Sequence, residues 1–357
     1  MRKTLTVFSL TLALLIALDG AVALTLGWAE RTERLGALVQ YFEYGRSVPG
    51  KLARWEADPD MPANLYETAW RSDQVALSTE RFLAETDGTG PVIRSYGMSF
   101  VNNILSQAVD LDPTLIWDGH AGPGAPPNFT YALFEDDREN RRAGDIVVLG
   151  ILSSSVPAMA ALTNSTWVFE QPAPLTYPVY LPKETGLARV DPLIETPAAL
   201  RAMADDDIAR QAWHDQLRRR DLFFASETFG LVWADRSPFL RLVRRSLAKS
   251  HIAQTDAAIL AGAYPYDEVL ERMISDFATT ARADGQTPVV MLIQTRDPRD
   301  PDVLEIARPV LLRGDIPYFA TAEHVDPSDP SVFLSDGHYR AAVDRFFAER
   351  LLDLLDP

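Results

Sequence analysis

The chain has 357 residues, of which 47% are apolar and 24% are charged, proportions that are typical of a globular protein and argue against a disordered chain. Its 34 basic and 50 acidic residues give a net charge of −16, which would repel a phosphate backbone, so nucleic acid is not expected as a partner. Cysteine is absent, which excludes disulfides, cysteine nucleophiles and thiolate-bound metals.

The N-terminal residues resemble an export signal or an anchor. Two basic residues, at positions 2 and 3, precede an apolar stretch from Leu5 to Ala29 in which Asp19 is the one charged residue. This stretch is long enough to span a bilayer. We therefore predict that residues 1–29 anchor the chain in the inner or plasma membrane, with the body on the periplasmic or extracellular side. The small residues Ala21-Val22-Ala23 suit a signal peptidase, so the alternative is a cleaved signal and a secreted protein.

Residues 30–89 are polar and mixed in charge, and we predict a helical stalk there. Its first apolar residues recur at helical spacing, at Leu35, Leu38, Val39 and Phe42. Pro49-Gly50 and Asp58-Pro59-Asp60 predict breaks between several short helices.

From residue 90 to residue 357, short apolar runs alternate with helical patterns, which predicts an α/β domain with a parallel sheet. The predicted strands are Val92–Tyr96, Thr114–Trp117, Asp145–Leu152, Pro288–Ile293 and Ile316–Thr321. The predicted helices are Phe100–Val109, Phe129–Arg141, Tyr266–Ala283, Val303–Arg313 and Tyr339–Leu355.

The interval between the third and fourth strands is far longer than an ordinary crossover, which predicts an insertion at about residues 165–262. Its Gln171–Pro197 part is rich in proline and predicts an extended loop. Its Ala198–Lys249 part predicts helices that carry clustered arginines. These arginines form either a solvated helix face or a patch for an anionic partner.

Ligands of parallel α/β sheets bind at the carboxyl ends of the strands, which directs attention to Ser99, directly after the first strand. A helix start at this serine would offer free N–H groups and a positive dipole end to a developing oxyanion. The alternative is that Ser99 only caps its helix. After the second strand comes a glycine-rich loop that contains Gly122 and Gly124, where a backbone N–H can approach an oxyanion closely; the alternative is a plain turn.

A histidine and a carboxylate follow the fifth strand, in Asp336-Gly337-His338. His338 can accept a serine proton, and Asp336 can hold the imidazole in the required tautomer. The alternative is that Asp336 caps the last helix and His338 is a surface residue. His324 is a rival base, and His120 on the glycine loop could line the site. Histidine pairs at metal-ligand spacing on one helix are absent, and we predict neither a metal nor a cofactor.

These residues resemble the SGNH or GDSL hydrolases, which are serine esterases and acyltransferases, over about Pro91–Leu355 outside the insertion. Gly97-Met98-Ser99 occupies the place of the family's Gly-Asp-Ser block, so the resemblance implies that Ser99 is the nucleophile. It implies that Asp336 and His338 complete a triad. It also implies a flavodoxin-like, three-layer α/β fold with a parallel five-stranded sheet, here with an N-terminal membrane helix and a helical insertion.

In the same family a glycine after the second strand donates an N–H to the oxyanion, which here implies Gly122 or Gly124. The Gly-x-Asn-Asp block that follows the third strand is replaced by Gly150 and three serines, of which Ser153 and Ser154 could donate in place of the asparagine.

We therefore expect an exported, serine-dependent ester hydrolase or O-acyltransferase. Its expected substrate is a small acyl ester or an acetylated carbohydrate of a cell-envelope or secreted polysaccharide. The lack of the Gly-x-Asn-Asp block leaves an alternative, which is a catalytically inactive SGNH-like subunit that binds or assembles with partners in polysaccharide biosynthesis.

Overall fold

The computed structural model describes residues 2–32, 42–61, 64–84 and 91–355. By its internal contacts the chain divides into two compact units. One comprises Met1–Tyr66, Asn164–Pro174 and Phe223–Thr255, and the other comprises Glu67–Thr163, Leu175–Leu222 and Asp256–Pro357. The segment predicted as an insertion thus supplies residues to both units.

The described strands are β1 (Val92–Met98), β2 (Ile116–Gly122), β3 (Ile146–Leu152), β4 (Val179–Pro182), β5 (Leu187–Val190), β6 (Thr287–Ile293) and β7 (Tyr318–Ala320). The described α-helices are α1 (Arg2–Arg31), α2 (Val48–Ala57), α3 (Arg71–Ala84), α4 (Ser99–Leu111), α5 (Pro127–Asp136), α6 (Asn164–Trp167), α7 (Pro197–Ala204), α8 (Asp207–Arg220), α9 (Ser226–Phe229), α10 (Pro238–Ala258), α11 (Tyr266–Ala283), α12 (Val303–Arg313) and α13 (Ala341–Leu355).

The larger unit contains the five-stranded parallel sheet that the sequence predicts, with the strand order β2-β1-β3-β6-β7. On one face, α4 packs against α13, and Val101 of α4 lies over Gly97 and Gly150 so closely that a Cβ atom at either glycine would come within 2.8 Å of its side chain. On the other face, Phe134 of α5 packs edge-on against Tyr96 of β1, and α11 and α12 lie alongside. The inner strands β1, β3 and β6 are therefore buried on both sides, as is typical of a parallel sheet.

Helices α11 and α12 begin and end at the predicted residues, whereas β2 differs from its prediction. The sequence predicts a strand over Thr114–Trp117 followed by a glycine loop, but the strand runs from Ile116 to Gly122 and contains the first residues of that loop. Its polar side chains make it hard to recognise from the sequence, because the buried Asp118 bonds to a charged neighbour and the buried His120 contacts this aspartate.

That neighbour is Arg94 of β1, whose fully buried guanidinium bonds to Asp118 at 2.9 Å and to Asp145 at 2.8 Å. Arg81 of α3 also pairs with Asp118, and His120 Nε2 lies 3.1 Å from the same carboxylate. Burial alone would raise the pKa of Asp118, but the hydrogen bonds and charges of His120 and Arg81 outweigh it and lower this pKa to about 2.

Strands β1 and β7 and helix α4 differ from their predicted bounds by one or two residues at an end, and three other elements differ in kind or extent. The predicted extended loop Gln171–Pro197 contains an antiparallel hairpin, in which β4 pairs with β5. The helix predicted over Phe129–Arg141 ends at Asp136 and is followed by a single 3₁₀ turn. The last helix begins at Ala341 and not at Tyr339, because Tyr339 forms a β-bridge with Phe333.

The smaller unit contains part of the predicted stalk. Pro49-Gly50, predicted as a break, lies in the first turn of α2, where proline is tolerated because its missing N–H has no helical partner there. Buried Asp235 accepts hydrogen bonds from the N–H and the hydroxyl of Ser47, the N-cap of α2, and pairs with buried Arg244 of α10. The stalk positions Leu35, Leu38 and Val39 lie outside the described residues.

Among the described residues, one helix is long and apolar enough to cross a membrane. It is the Lys3–Trp28 part of α1, with a mean hydropathy of 2.2 over its most apolar window, none of which is buried by the rest of the chain. A signal sequence can have the same length and composition, so this helix is long and apolar enough to span a membrane or to act as a signal.

Candidate active site

Ser99 is the first residue of α4 and directly follows β1. The residue in the capping position is Met98, which makes no side-chain cap, so Ser99 is not the N-cap that the alternative interpretation requires. Its Oγ instead lies 2.7 Å from Nε2 of His338, a residue 239 positions later in the sequence. The fold therefore brings the predicted nucleophile and the predicted base into hydrogen-bond contact.

His338 is held by a tight hairpin turn. The N–H of Gly337 bonds to the carbonyl of Leu334, and the N–H of Leu334 bonds to the carbonyl of His338. Gly337 has a φ of +93°, in the left-handed region that glycine adopts without strain, and this completes a three-residue hairpin loop of the type I turn plus bulge kind. The glycine between the aspartate and the histidine is therefore needed for the turn that directs the imidazole at Ser99.

Asp336 lies on the far side of the imidazole from the serine. Its Oδ2 is 3.3 Å from His338 Nδ1, and its Oδ1 accepts the backbone N–H of His338 at 3.1 Å. The carboxylate bonds within this turn and not to the first turn of α13, so it does not cap that helix. The order Ser99 Oγ, His338, Asp336 is the order of a Ser-His-Asp triad.

Two aromatic residues that the sequence analysis did not single out support His338, one at its ring and the other at the turn that carries it. The ring of Phe100, the residue after the serine, stacks on His338 with 4.8 Å between ring centres. The hydroxyl of Tyr339 donates to the carbonyl of Gln294 at 2.6 Å and lies 3.0 Å from Thr321 Oγ1. These bonds tie the histidine turn to the carboxyl ends of β6 and β7. In sequence, Phe100 and Tyr339 are indistinguishable from core aromatic residues.

The triad is partly open to solvent. The side chains of His338 and Asp336 are 33% and 63% exposed. The hydrogen bond from the His338 N–H and the nearby imidazole keep the pKa of Asp336 below its usual value. Asp344 of α13, in contrast, is buried, and burial raises its pKa to about 6 against the opposing influence of His338. An ionised carboxylate is therefore available to orient the imidazole.

The two candidate glycines lie at the end of β2, the strand that pairs with β1. Gly122 is the last residue of β2 and pairs in register with Met98, the residue before Ser99. Gly124 lies in the turn beyond the strand, with a φ of +56° and open space where a side chain would be. Both thus lie at the carboxyl end of the strand beside β1, the edge at which Ser99 begins its helix.

The candidate serines after β3 are arranged differently. Ser153 is fully buried; its Oγ accepts the N–H of Thr295 at 3.0 Å and lies 2.8 Å from Thr295 Oγ1. Because the Thr295 hydroxyl itself donates to Asp300, the Ser153 proton is directed at Thr295. Ser154 is exposed. Neither Thr295 nor Asp300 was identified from the sequence, since both follow a strand in an ordinary polar loop.

The other two histidines considered in the sequence analysis lie elsewhere. His120 is inside β2, buried and stacked on Tyr96, so it does not line the carboxyl edge of the sheet. His324 stacks on Phe319 of β7 at 4.9 Å. In the part of the chain that the structure describes, no group of three or more histidine or acidic side chains is placed to hold a metal ion.

Compared with protein-family models, with curated proteins and with solved structures, the chain matches none.

Proposed function

We propose that the chain is a serine-dependent ester hydrolase or O-acyltransferase of the SGNH type. The observation that carries this proposal is the 2.7 Å contact between Ser99 Oγ and His338 Nε2, with Asp336 behind the imidazole. The strand order β2-β1-β3-β6-β7 supports it, since this is the flavodoxin-like order, with ligands bound beyond the carboxyl ends of the strands.

The proposed mechanism uses His338 as general base and then as general acid. Nε2 accepts the proton of Ser99 as Oγ attacks the ester carbonyl, and Nδ1–H donates to Asp336, which stabilises the imidazolium that forms. His338 then gives the proton to the leaving alcohol, and the acyl group remains on Ser99. Transfer of the acyl group to water gives an esterase, and transfer to a sugar hydroxyl gives an acyltransferase.

The proposed oxyanion site is formed by backbone N–H groups. The Ser99 N–H lies at the start of α4, where helical N–H groups have no partner in the helix and the dipole favours negative charge. Gly122 or Gly124 supplies a second N–H from the end of β2. Ser153 is the weaker donor, because its proton is directed at Thr295.

The proposed substrate is an acylated carbohydrate of a cell envelope or a secreted polysaccharide. The support is the apolar helix α1 after a basic flank, which favours a body on the exported side of a membrane. The net charge of −16 favours a neutral ester over a polyanionic one.

A second candidate function is a non-catalytic subunit that binds or assembles with polysaccharide-synthesising partners. The observation that favours it is the engagement of Ser153, whose hydroxyl bonds to Thr295 and is not free to take the place of the family's asparagine. Loss of one such donor costs about 10²–10³ in rate in an acyl-transfer enzyme.

Labelling with a fluorophosphonate probe separates the two candidates. For an active enzyme we expect the full-length chain to be labelled, and Ser99→Ala and His338→Ala to abolish labelling while the fold is retained. Ser106→Ala, an exposed serine on the same helix, and His324→Ala are the matched controls and should be labelled normally. Well-folded protein that is not labelled at all would overturn the catalytic proposal and favour the binding subunit.

A further inference from the structure

The smaller unit has three consecutive apolar side chains exposed to solvent. Leu231, Val232 and Trp233 are 56%, 50% and 64% exposed, and they begin a 3₁₀ helix that ends in the exposed Arg236. Leu231 has a φ of +51°, in the left-handed region that a leucine rarely adopts. Exposed apolar clusters that include tryptophan often mark a contact with a membrane or a partner.

This cluster lies close in sequence to a contact with the apolar helix α1. The carboxylate of Asp19 accepts the Ser237 hydroxyl at 2.6 Å and the Phe239 N–H at 3.0 Å. These donors lie at the N-terminus of α10, so Asp19 caps that helix together with Ser237. The one acidic residue of the apolar stretch is thus hydrogen-bonded to protein groups.

Asp19 also marks where α1 leaves the rest of the chain. Every residue from Lys3 to Leu18 is exposed, whereas Asp19, Val22 and Leu26, which share one helix face, are partly covered. The sixteen residues from Lys3 to Leu18 measure about 24 Å at 1.5 Å per residue, less than a hydrocarbon core of about 30 Å. A bilayer that buries them must therefore extend to the level of Asp19 and the N-terminus of α10.

We propose that Leu231, Val232 and Trp233 insert into the interface of the same bilayer that α1 enters. The chain would then contact lipid at two places in one unit, through α1 and through this cluster. Tryptophan is suited to the interface, where its ring is apolar and its N–H reaches water, and Arg236 is placed to pair with anionic headgroups. The same geometry requires that α1 is retained, because cleavage after Ala23 would remove the Asp19 cap from α10.

The absence of native cysteine allows a direct test on the full-length chain. We would attach an environment-sensitive fluorophore to Val232→Cys, in vesicles of mixed phosphatidylcholine and phosphatidylglycerol. The matched control is Ser250→Cys, an exposed residue of α10 that is about 20 Å farther along the helix than Ser237. We expect a blue-shifted emission and quenching by spin-labelled lipids at position 232, several-fold stronger than at position 250.

A second variant tests the role of the tryptophan. Trp233→Ser in the Val232→Cys background should weaken quenching at position 232, while α1 still holds the protein on the vesicle and Ser99 is labelled as before. Equal, water-like emission at positions 232 and 250 would overturn the proposal. So would an exported chain whose N-terminus, determined by mass spectrometry, lies beyond Asp19.

Discussion

The tripeptide Asp-Gly-His occurs twice in this chain, at residues 118–120 and at residues 336–338, and the two copies have opposite surroundings. In both, the aspartate contacts the histidine two residues later, at 3.1 Å in the first copy and 3.3 Å in the second. The first pair is 3% exposed on both side chains, whereas the second is 33% and 63% exposed.

The backbone conformation determines which imidazole nitrogen each aspartate contacts. Residues 118–120 belong to β2, and there Asp118 takes the Nε2 of His120. Residues 336–338 form a turn with Gly337 in the left-handed region, and there Asp336 takes Nδ1 and leaves Nε2 for Ser99. A histidine bonded through Nδ1 is oriented for proton transfer at Nε2, while His120 is part of a buried ion-pair network. The same tripeptide therefore forms two different contacts, and the backbone conformation determines which imidazole nitrogen is left free.

The largest expected effects come from removing each histidine in turn. For His338→Ala we expect fluorophosphonate labelling to slow at least about a thousandfold, because Ser99 loses its base, with little change in the free energy of unfolding. For His120→Ala we expect normal labelling but a loss of about 2–3 kcal/mol of stability, because a buried, stacked ring is removed. Labelling rates and urea unfolding measure both. If folded His338→Ala and folded His120→Ala lost labelling equally, the two Asp–His pairs would not differ in role.

The next effect tests whether the buried pair is structural. Arg94→Met leaves Asp118 and Asp145 buried without their shared cation, and we expect a loss of about 3–5 kcal/mol in urea unfolding at pH 7. Arg138→Met, at an arginine that is 54% exposed and pairs with Asp284, is the control and should cost less than about 1 kcal/mol. Similar losses of stability in both variants would show that the buried ion pairs of Arg94 stabilise the fold no more than the exposed pair of Arg138.

A smaller effect is expected at the exposed carboxylate. Replacing a buried triad aspartate by asparagine costs about 10⁴ in rate, but solvent screens Asp336, so for Asp336→Asn we expect about a 10- to 100-fold loss of labelling rate. The lowered pKa of Asp336 keeps it ionised at pH 5 and above, so the variant removes a charged carboxylate. Wild-type protein should therefore be labelled faster than the variant at pH 8, and equal labelling rates at pH 8 would contradict this assignment.

The smallest effect is expected at Asp344, a buried carboxyl group near the exposed pair of Asp336 and His338. Asp344 has a pKa of about 6 in the fold against 3.8 as a free side chain, so the folded state holds more protons than the unfolded state between these values. Stability contributed by the neutral carboxyl is therefore lost as the pH rises from about 4 to about 6. For Asp344→Asn we expect a gain of about 1–2 kcal/mol at pH 7 and none at pH 4, measured by urea unfolding. An equal gain in stability at pH 4 and at pH 7 would contradict a raised pKa of Asp344.

Much of the sheet follows from apolar patterns. The helices α11 and α12 and the cores of β1, β3 and β6 are periodic apolar segments bounded by turn residues, and they were found where the sequence predicts them. β2 was predicted in the wrong place because its buried positions include Asp118 and His120. A polar residue is recognisable as a core residue only when its partner on the neighbouring strand is known. The hairpin of β4 and β5 was missed because its strands are only four residues long.

The three residues of the candidate site could be singled out from the sequence, whereas the residues that support them could not. Ser99, Asp336 and His338 belong to short motifs at strand ends, where a parallel sheet collects functional groups. The stacking of Phe100, the anchoring of Tyr339 and the engagement of Ser153 by Thr295 depend on contacts between distant segments, which have no local signal. Chain topology brings these groups together, so only a three-dimensional structure reveals them.

The strand order determines when the contact between Ser99 and His338 can form. β1 and β7 are separated by two strands, about 14 Å across the sheet, and the segment after β7 must return over that distance to place His338 beside Ser99. During synthesis the serine emerges 239 residues before the histidine. A nascent chain therefore carries Ser99 without His338, and the contact on which the proposed catalysis depends forms only after the C-terminal segment has folded onto the sheet.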